Sequence, residues 1–194
     1  MMIGFAMSAA PAAMDAALYA YAGIRLRPLW SALRPLAPEV ALPSLSLGAS
    51  SSGRGVCGQR GGGGARRARD AVAVRRRAYR QVIEILDWCR YLQPYLDPRM
   101  EQIAEEHADA VGLTGERRDA AVDAARIASA LDTAKAAPYP VAVSAADSPP
   151  LPRRDPGPSR GAQVRMLVAI ARAFTRSPVV LRTRQDYRAS LDRP

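Results

Sequence analysis

The sequence predicts an all-α protein, a small helical bundle with long disordered linkers. Apolar residues recur at three- and four-residue steps between Arg75 and Leu131, and again between Val164 and Phe174. That spacing gives a helix one apolar face. No segment alternates convincingly with period two, apart from short runs such as Val179-Val180-Leu181. The 16 Pro and 14 Gly gather in two blocks that divide the chain of 194 residues. Roughly half to two-thirds of it is left for a core, a size at which stability is thin.

Residues 1–24 carry a single charge, Asp15, and are interrupted by Pro11. No basic residue precedes the apolar stretch, as a secretory signal requires. Its length approaches the ~20 residues that span a bilayer, and Tyr19, Tyr21, Arg25 and Arg27 suit the cytoplasmic end of a span. Nine of the 24 residues are Ala, and Asp15 would be costly at mid-bilayer. Two readings stand: the remnant of a membrane helix, or a soluble amphipathic helix with Met14, Leu18 and Tyr21 on one stripe.

Residues 25–43 read as a short helix with Pro28 in its first turn, where a missing N–H does little harm. Trp30 and Leu33 share its face, and Pro35, Pro38 and Pro43 end it. Residues 44–70 are Ser, Gly and Arg, too polar to offset their ordering entropy, and are expected to be disordered.

Residues 71–137 form the expected central core. Its first helix, about Val72 to Gln93, aligns Tyr79, Val82, Ile83, Leu86, Cys89 and Leu92, with Ile85, Trp88 and Tyr91 widening the face. Pro94 stops it. Asp97-Pro98 restarts the helix, with Asp97 as N-cap and Pro98 at the first helical position. Met100, Ile103, Ala104, His107 and Val111 make the next stripe, and Gly112-Leu113 reads as a C-terminal cap with its hydrophobic contact. Thr114 caps a third helix, whose Ala121, Val122, Ala125, Ala128 and Leu131 suit close helix approach. Residues 138–158 hold seven Pro, a stiffer linker than the first. Residues 159–182 form an amphipathic helix on Val164, Leu167, Val168, Ala171 and Phe174, which cannot stand alone and must dock on the core. Ser177-Pro178 ends it, and the final ten residues are expected to fray.

The chain has 28 basic and 18 acidic residues, net +10, and Lys135 is its sole Lys. With so much Ala, the Arg content reflects GC-rich coding as much as a nucleic-acid partner. Residues 53–80 hold nine Arg against one acid, a net of +8, while residues 81–137 hold six bases against eleven acids, a net of −5. Basic flanks screening an acidic helical middle is the plain interpretation. Two cysteines, Cys57 and Cys89, are too few for a disulfide framework or a zinc site, and fit a reducing compartment.

No catalytic, cofactor-binding or metal-binding set emerges. His107 is the only histidine; the positions three and four away are Ile103, Ala104, Ala110 and Val111, so no carboxylate shares its helical face. It reads as a packed or half-buried residue with one hydrogen bond, leaving no free base for a Ser or Cys nucleophile. Glu101, Glu105, Glu106 and Asp109 read as a solvated acidic face, with Glu101 and Glu105 mildly repulsive at i,i+4. Gly61 to Gly64 lead into Ala65-Arg66, not Lys-Ser/Thr, which excludes a phosphate-cradling loop.

Two polyanion readings remain. Arg66, Arg67, Arg69, Arg75, Arg76 and Arg77 could contact nucleic-acid phosphates, or anionic lipid at about 1 kcal/mol per basic residue near the surface. Across residues 104–126, Ala108, Gly112, Leu113 and Thr114 match a helix-turn-helix turn, but Arg118 falls where the recognition helix turns an apolar residue inward. A capped turn between packed helices is preferred. Trp30, Trp88, Tyr91 and Phe174 are candidate interface or packing residues, with packing the default for aromatics at helical spacing.

Four pieces carry a resemblance: Leu26-Arg27-Pro28-Leu29-Trp30-Ser31-Ala32-Leu33; Tyr79-Arg80-Gln81-Val82-Ile83-Glu84-Ile85; Gly112-Leu113-Thr114-Gly115 leading into Ala124-Ala125; and Ala171 to Val180. In that order the chain resembles the carboxy-terminal cytoplasmic domain, of unknown function, of an actinobacterial family of multi-pass membrane proteins classed as predicted transporters. The resemblance covers about residues 25–182 without the linkers, and it brings no catalytic residues. It implies a truncated member or detached relative, a cytoplasmic regulatory or protein-interaction module at the inner membrane face with an unknown protein partner. An anionic membrane surface is the second candidate partner. A DNA-binding regulator is the alternative from another class, and an enzyme is not expected.

Overall fold

A computed structural model of the chain describes residues 10–36, 63–136, 149–153 and 159–191. These residues form six α-helices and two short 3-10 turns, with no strand among them. Helix α1 spans Ala10–Leu33, α2 Gly63–Leu92, α3 Pro98–Ala110, α4 Gly115–Ala136, α5 Arg160–Arg176 and α6 Pro178–Leu191. The 3-10 turns follow α1 at Arg34–Leu36 and α2 at Gln93–Tyr95.

Helix α1 is one piece, so the expected break between residues 1–24 and a separate helix at 25–43 is not there. Pro28 sits inside it, where a missing N–H and a ring clash cost about 3 kcal/mol. Leu26, Leu29 and Leu33 are fully buried on both sides of Pro28, at about 2 kcal/mol each. Burial wins. The buried face of α1 is Tyr19, Ala22, Leu26, Leu29 and Leu33, whereas Tyr21 is 49% exposed. The stripe expected on Met14, Leu18 and Tyr21 is therefore rotated by about one residue. No helix among the described residues is long and apolar enough to cross a membrane.

The expected linker 44–70 is shorter than its composition suggested, because α2 begins at Gly63. After Gly64 the chain reads Ala-Arg-Arg-Ala-Arg, and Ala and Arg are among the best helix formers. A composition rule that groups Arg with Gly and Ser hides this. Residues 44–62 and Cys57 lie outside the described residues. Helices α1 and α2 run parallel, since Arg75 lies over the Tyr19 ring while Trp30 bonds Glu84. Val82, Ile85, Trp88, Cys89 and Leu92 are buried, while Ile83 and Tyr91 reach the surface at 36% and 37% exposure.

The α3–α4 hairpin follows its local signals closely. Asp97 Oδ1 accepts the Arg99 N–H at 2.9 Å, with Pro98 opening the helix. At the other end Gly112 takes φ +69°, a left-handed conformation that glycine adopts without a Cβ penalty. Leu113 N–H then bonds Ala108 O at 3.0 Å and Gly112 N–H bonds Asp109 O at 2.9 Å, the paired bonds of a Schellman cap. Helix α4 is the hub, packed against α3, α5 and α6. Every residue from Ala120 to Leu131 is buried, and the Ala-rich sequence lets neighbours approach on all sides.

Ser177-Pro178 ends α5, as expected, but also opens α6. The Ser177 hydroxyl accepts the Val179 N–H at 3.3 Å, an N-cap with proline at the first helical position, as at Asp97-Pro98. The frayed end expected for the last ten residues, and the C-terminal limit at 182, give way to a helix reaching Leu191. Val179, Val180, Thr183 and Tyr187 are its buried side, so the Val-Val-Leu run is helical.

Candidate functional site

The aromatic candidates separate into two kinds. Trp30 and Trp88 meet with ring centroids 6.2 Å apart; Trp88 is fully buried and its indole N–H has no partner among the described residues. Trp30 is half-buried, donates to Glu84 Oε2 at 2.6 Å and lies under the Arg34 guanidinium. Phe174 is half-buried against the core. Tyr91 is exposed and pairs with Tyr95 at 6.0 Å. Three of the four therefore pack, and only Tyr91 offers its ring to solvent.

The six candidate arginines all lie along α2. The side chains of Arg66, Arg67 and Arg69 are outside the described residues, and Arg75, Arg76 and Arg77 are exposed. Consecutive helical residues point about 100° apart, so these three do not form one contact face. Arg75 is turned back over Tyr19, 5.4 Å from the ring centre.

Among the described residues no cluster of His, Cys, Asp and Glu could hold a metal ion. His107 is half-buried and its Nε2 lies 2.8 Å from Asp186 Oδ2 of α6, 79 residues along the chain. Helical spacing around His107 could not reveal a partner from another helix. Cys89 is fully buried, and burial pushes its thiol up to about 12, which keeps it protonated and unreactive.

The acidic face of α3 is not simply solvated. Arg118, which breaks the helix-turn-helix pattern, makes a two-point bond to Asp109 at 2.6 and 3.0 Å. Its guanidinium holds the Asp109 carboxyl below the usual range. Glu101 and Glu105 are bridged by Arg153, at 3.1 and 2.6 Å. The repulsion expected between them is cancelled by a cation from the second Pro-rich segment. Helix α4, the would-be recognition helix, is enclosed from Ala120 to Leu131, and in its N-terminal half only the first turn, at Gly115, Glu116 and Arg117, is exposed.

A groove of about 660 Å³ lies between the α3–α4 turn and α5. Val111, Leu113, Ala121, Val168, Ala169 and Ala173 supply its apolar surface. Arg117, Arg165, Arg172 and Arg176 edge it, and none of the four is ion-paired with a described residue. Sequence reasoning missed these arginines. The signal was present, because positions 165, 172 and 176 are seven and four apart, one helical stripe. Arg content attributed to coding bias obscured it.

A family model described as a family of unknown function, DUF6545, matches residues 13–177. No curated protein and no solved structure matches the chain.

Proposed function

The chain belongs to DUF6545, a family of unknown function, and from that premise we propose that it is a non-catalytic helical interaction module. It works at the inner face of the cell membrane, beside or within a membrane protein of the kind its sequence resembles. Its groove takes the amphipathic, acidic helix of a partner protein. The observation that carries this reading is the pairing of an apolar floor with four arginines that make no ion pair among the described residues. An acidic helix would place its apolar stripe on Val168 and Ala169 and its carboxylates against Arg165 and Arg172, matching charge to charge.

The test is fluorescence anisotropy with a labelled Leu/Glu amphipathic peptide. Binding to the full chain should weaken about tenfold, about 1.4 kcal/mol, in Arg165→Ser/Arg172→Ser, and also in Val168→Asp. Absence of binding, or binding that ignores both variants, rejects the groove. Flotation with phosphatidylglycerol vesicles that is lost in the same variants would assign the arginines to lipid instead. Steeply salt-dependent binding to duplex DNA would favour the regulator reading.

A further inference from the structure

Residues 149–153, Pro-Pro-Leu-Pro-Arg, lie against the bundle as an irregular strap that bends at Leu151–Arg153, and the bundle holds them in the manner of a peptide ligand. Gln93 reads the strap backbone at two points: its Nε2 donates to Pro149 O at 3.2 Å and its Oε1 accepts Leu151 N–H at 3.2 Å. Arg126 Nη2 donates to the same Pro149 carbonyl. Asp123 Oδ1 accepts the Arg153 N–H at 3.3 Å. One apolar side chain, Leu151, is buried to 7% exposure, and one charged side chain, Arg153, is clamped by Glu101 and Glu105. Backbone bonds for affinity, one seated side chain and one charge for selectivity are the elements of short-peptide recognition.

The groups beneath the strap do not fit a simple structural role. Asp123 and Arg126 are 2% and 1% exposed. Arg126 stands 3.7 Å from both Asp123 and Glu101, beyond hydrogen-bond reach, and its Nε and Nη1 find no hydrogen-bond partner among the described residues. Buried charges of this kind are often no more stabilising than apolar residues of equal volume. We infer that the surface formed by Gln93, Glu101, Asp123 and Arg126 is a recognition site for Pro-Leu-Pro-Arg peptides, filled in cis by residues 149–153. A partner carrying that pattern competes with the strap, which acts at the high effective concentration of an intramolecular ligand.

The probe is a fluorescein-labelled peptide of residues 148–154, Ser-Pro-Pro-Leu-Pro-Arg-Arg, with a scrambled peptide of equal charge as control. The full chain carrying Leu151→Ser and Arg153→Ser should bind it at least about tenfold more tightly than the unaltered chain. Adding Glu101→Gln or Gln93→Leu should remove most of that gain. The proposal is overturned if the strap variant keeps its helical circular dichroism yet does not bind. Equal binding of the scrambled peptide, or indifference to Glu101→Gln and Gln93→Leu, overturns it too. Should the double variant lose its helical signal, Arg153→Ala decides instead: it leaves Leu151 seated, and a gain below about threefold rejects the site. The groove between α3, α4 and α5 takes no part in this test, so its failure leaves the acidic-helix reading intact.

Discussion

The α1–α2 pair and the α3–α4 hairpin solve one packing problem in opposite ways. Helices α1 and α2 pack together and bury large side chains, Leu26, Leu29 and Leu33 on α1 and Ile85 and Trp88 on α2, all fully buried. A cross-helix polar link joins Trp30 to Glu84, which Arg80 also holds at 3.2 Å. Helices α3 and α4 pack together with many buried alanines, Ala104 and Ala108 on α3 and Ala121, Ala124, Ala125 and Ala128 on α4. Those small residues bring the backbones close, yet leave Asp123 and Arg126 enclosed without ideal partners. One side is stabilised by apolar volume. The other buries charge and depends on a strap from elsewhere in the chain to satisfy it.

The largest break in this contrast is on the apolar side. Trp88→Ala should cost about 3–5 kcal/mol, the range for aromatic truncation in a packed core. Because the Trp88 indole N–H has no partner to lose among the described residues, the loss is one of volume and contact. Urea unfolding followed by circular dichroism measures it. A cost below about 1 kcal/mol would mean that the site collapses freely and that large side chains do not carry this half.

On the charged side the sign reverses. Burial pushes the Asp123 carboxyl up from 3.8 to about 6, despite Arg126 and Arg153 nearby. A carboxyl raised in the folded state favours folding when protonated, so its contribution is fully present below about pH 3.8 and is lost as pH rises through about 6. The shift of about two units corresponds to about 3 kcal/mol at pH 7. Asp123→Asn mimics the protonated form and keeps an oxygen for the Arg153 N–H. It should therefore stabilise the chain by about 2–3 kcal/mol at pH 7, with the gain fading towards pH 4. Denaturation curves at pH 4, 5, 6 and 7 read the trend, and a loss of stability at pH 7 would contradict it.

The same contrast explains what could be read in the sequence. Wherever a signal is local, it is legible: the Asp97-Pro98 cap, the Gly112 cap and the apolar stripe of α5 stand where spacing and turn chemistry put them. The all-helical class follows from the same periodicity. Local rules fail where tertiary burial outweighs them, as at Pro28 inside α1, or where one signal has two meanings, as at Ser177-Pro178. The candidate sites were less visible still. The strap joins residues 23 to 58 apart in sequence, a pairing that no helical repeat encodes. Three of the groove's four arginines share a stripe on α5 with half of the apolar floor, but Arg117 and the other half come from the α3–α4 hairpin. Only the assembled fold brings charge and floor together.

The smallest expected effect sharpens the comparison most finely, because it weighs the polar link across the α1–α2 contact. Trp30→Phe keeps most of the ring but removes the N–H that Glu84 accepts at 2.6 Å. Glu84 is 6% exposed, so its carboxylate would keep Arg80 and lose one donor. A hydrogen bond to a charged group contributes about 1.5–3 kcal/mol, and the half-buried position of Trp30 places the cost near about 1 kcal/mol. A double-mutant cycle with Glu84→Gln isolates the link from the ring's packing. Coupling of about 1 kcal/mol would show a polar bond reinforcing an apolar interface. Strict additivity would mean that the aromatic pair alone holds α1 on α2, and the contrast with the charged hairpin would then be sharper than drawn.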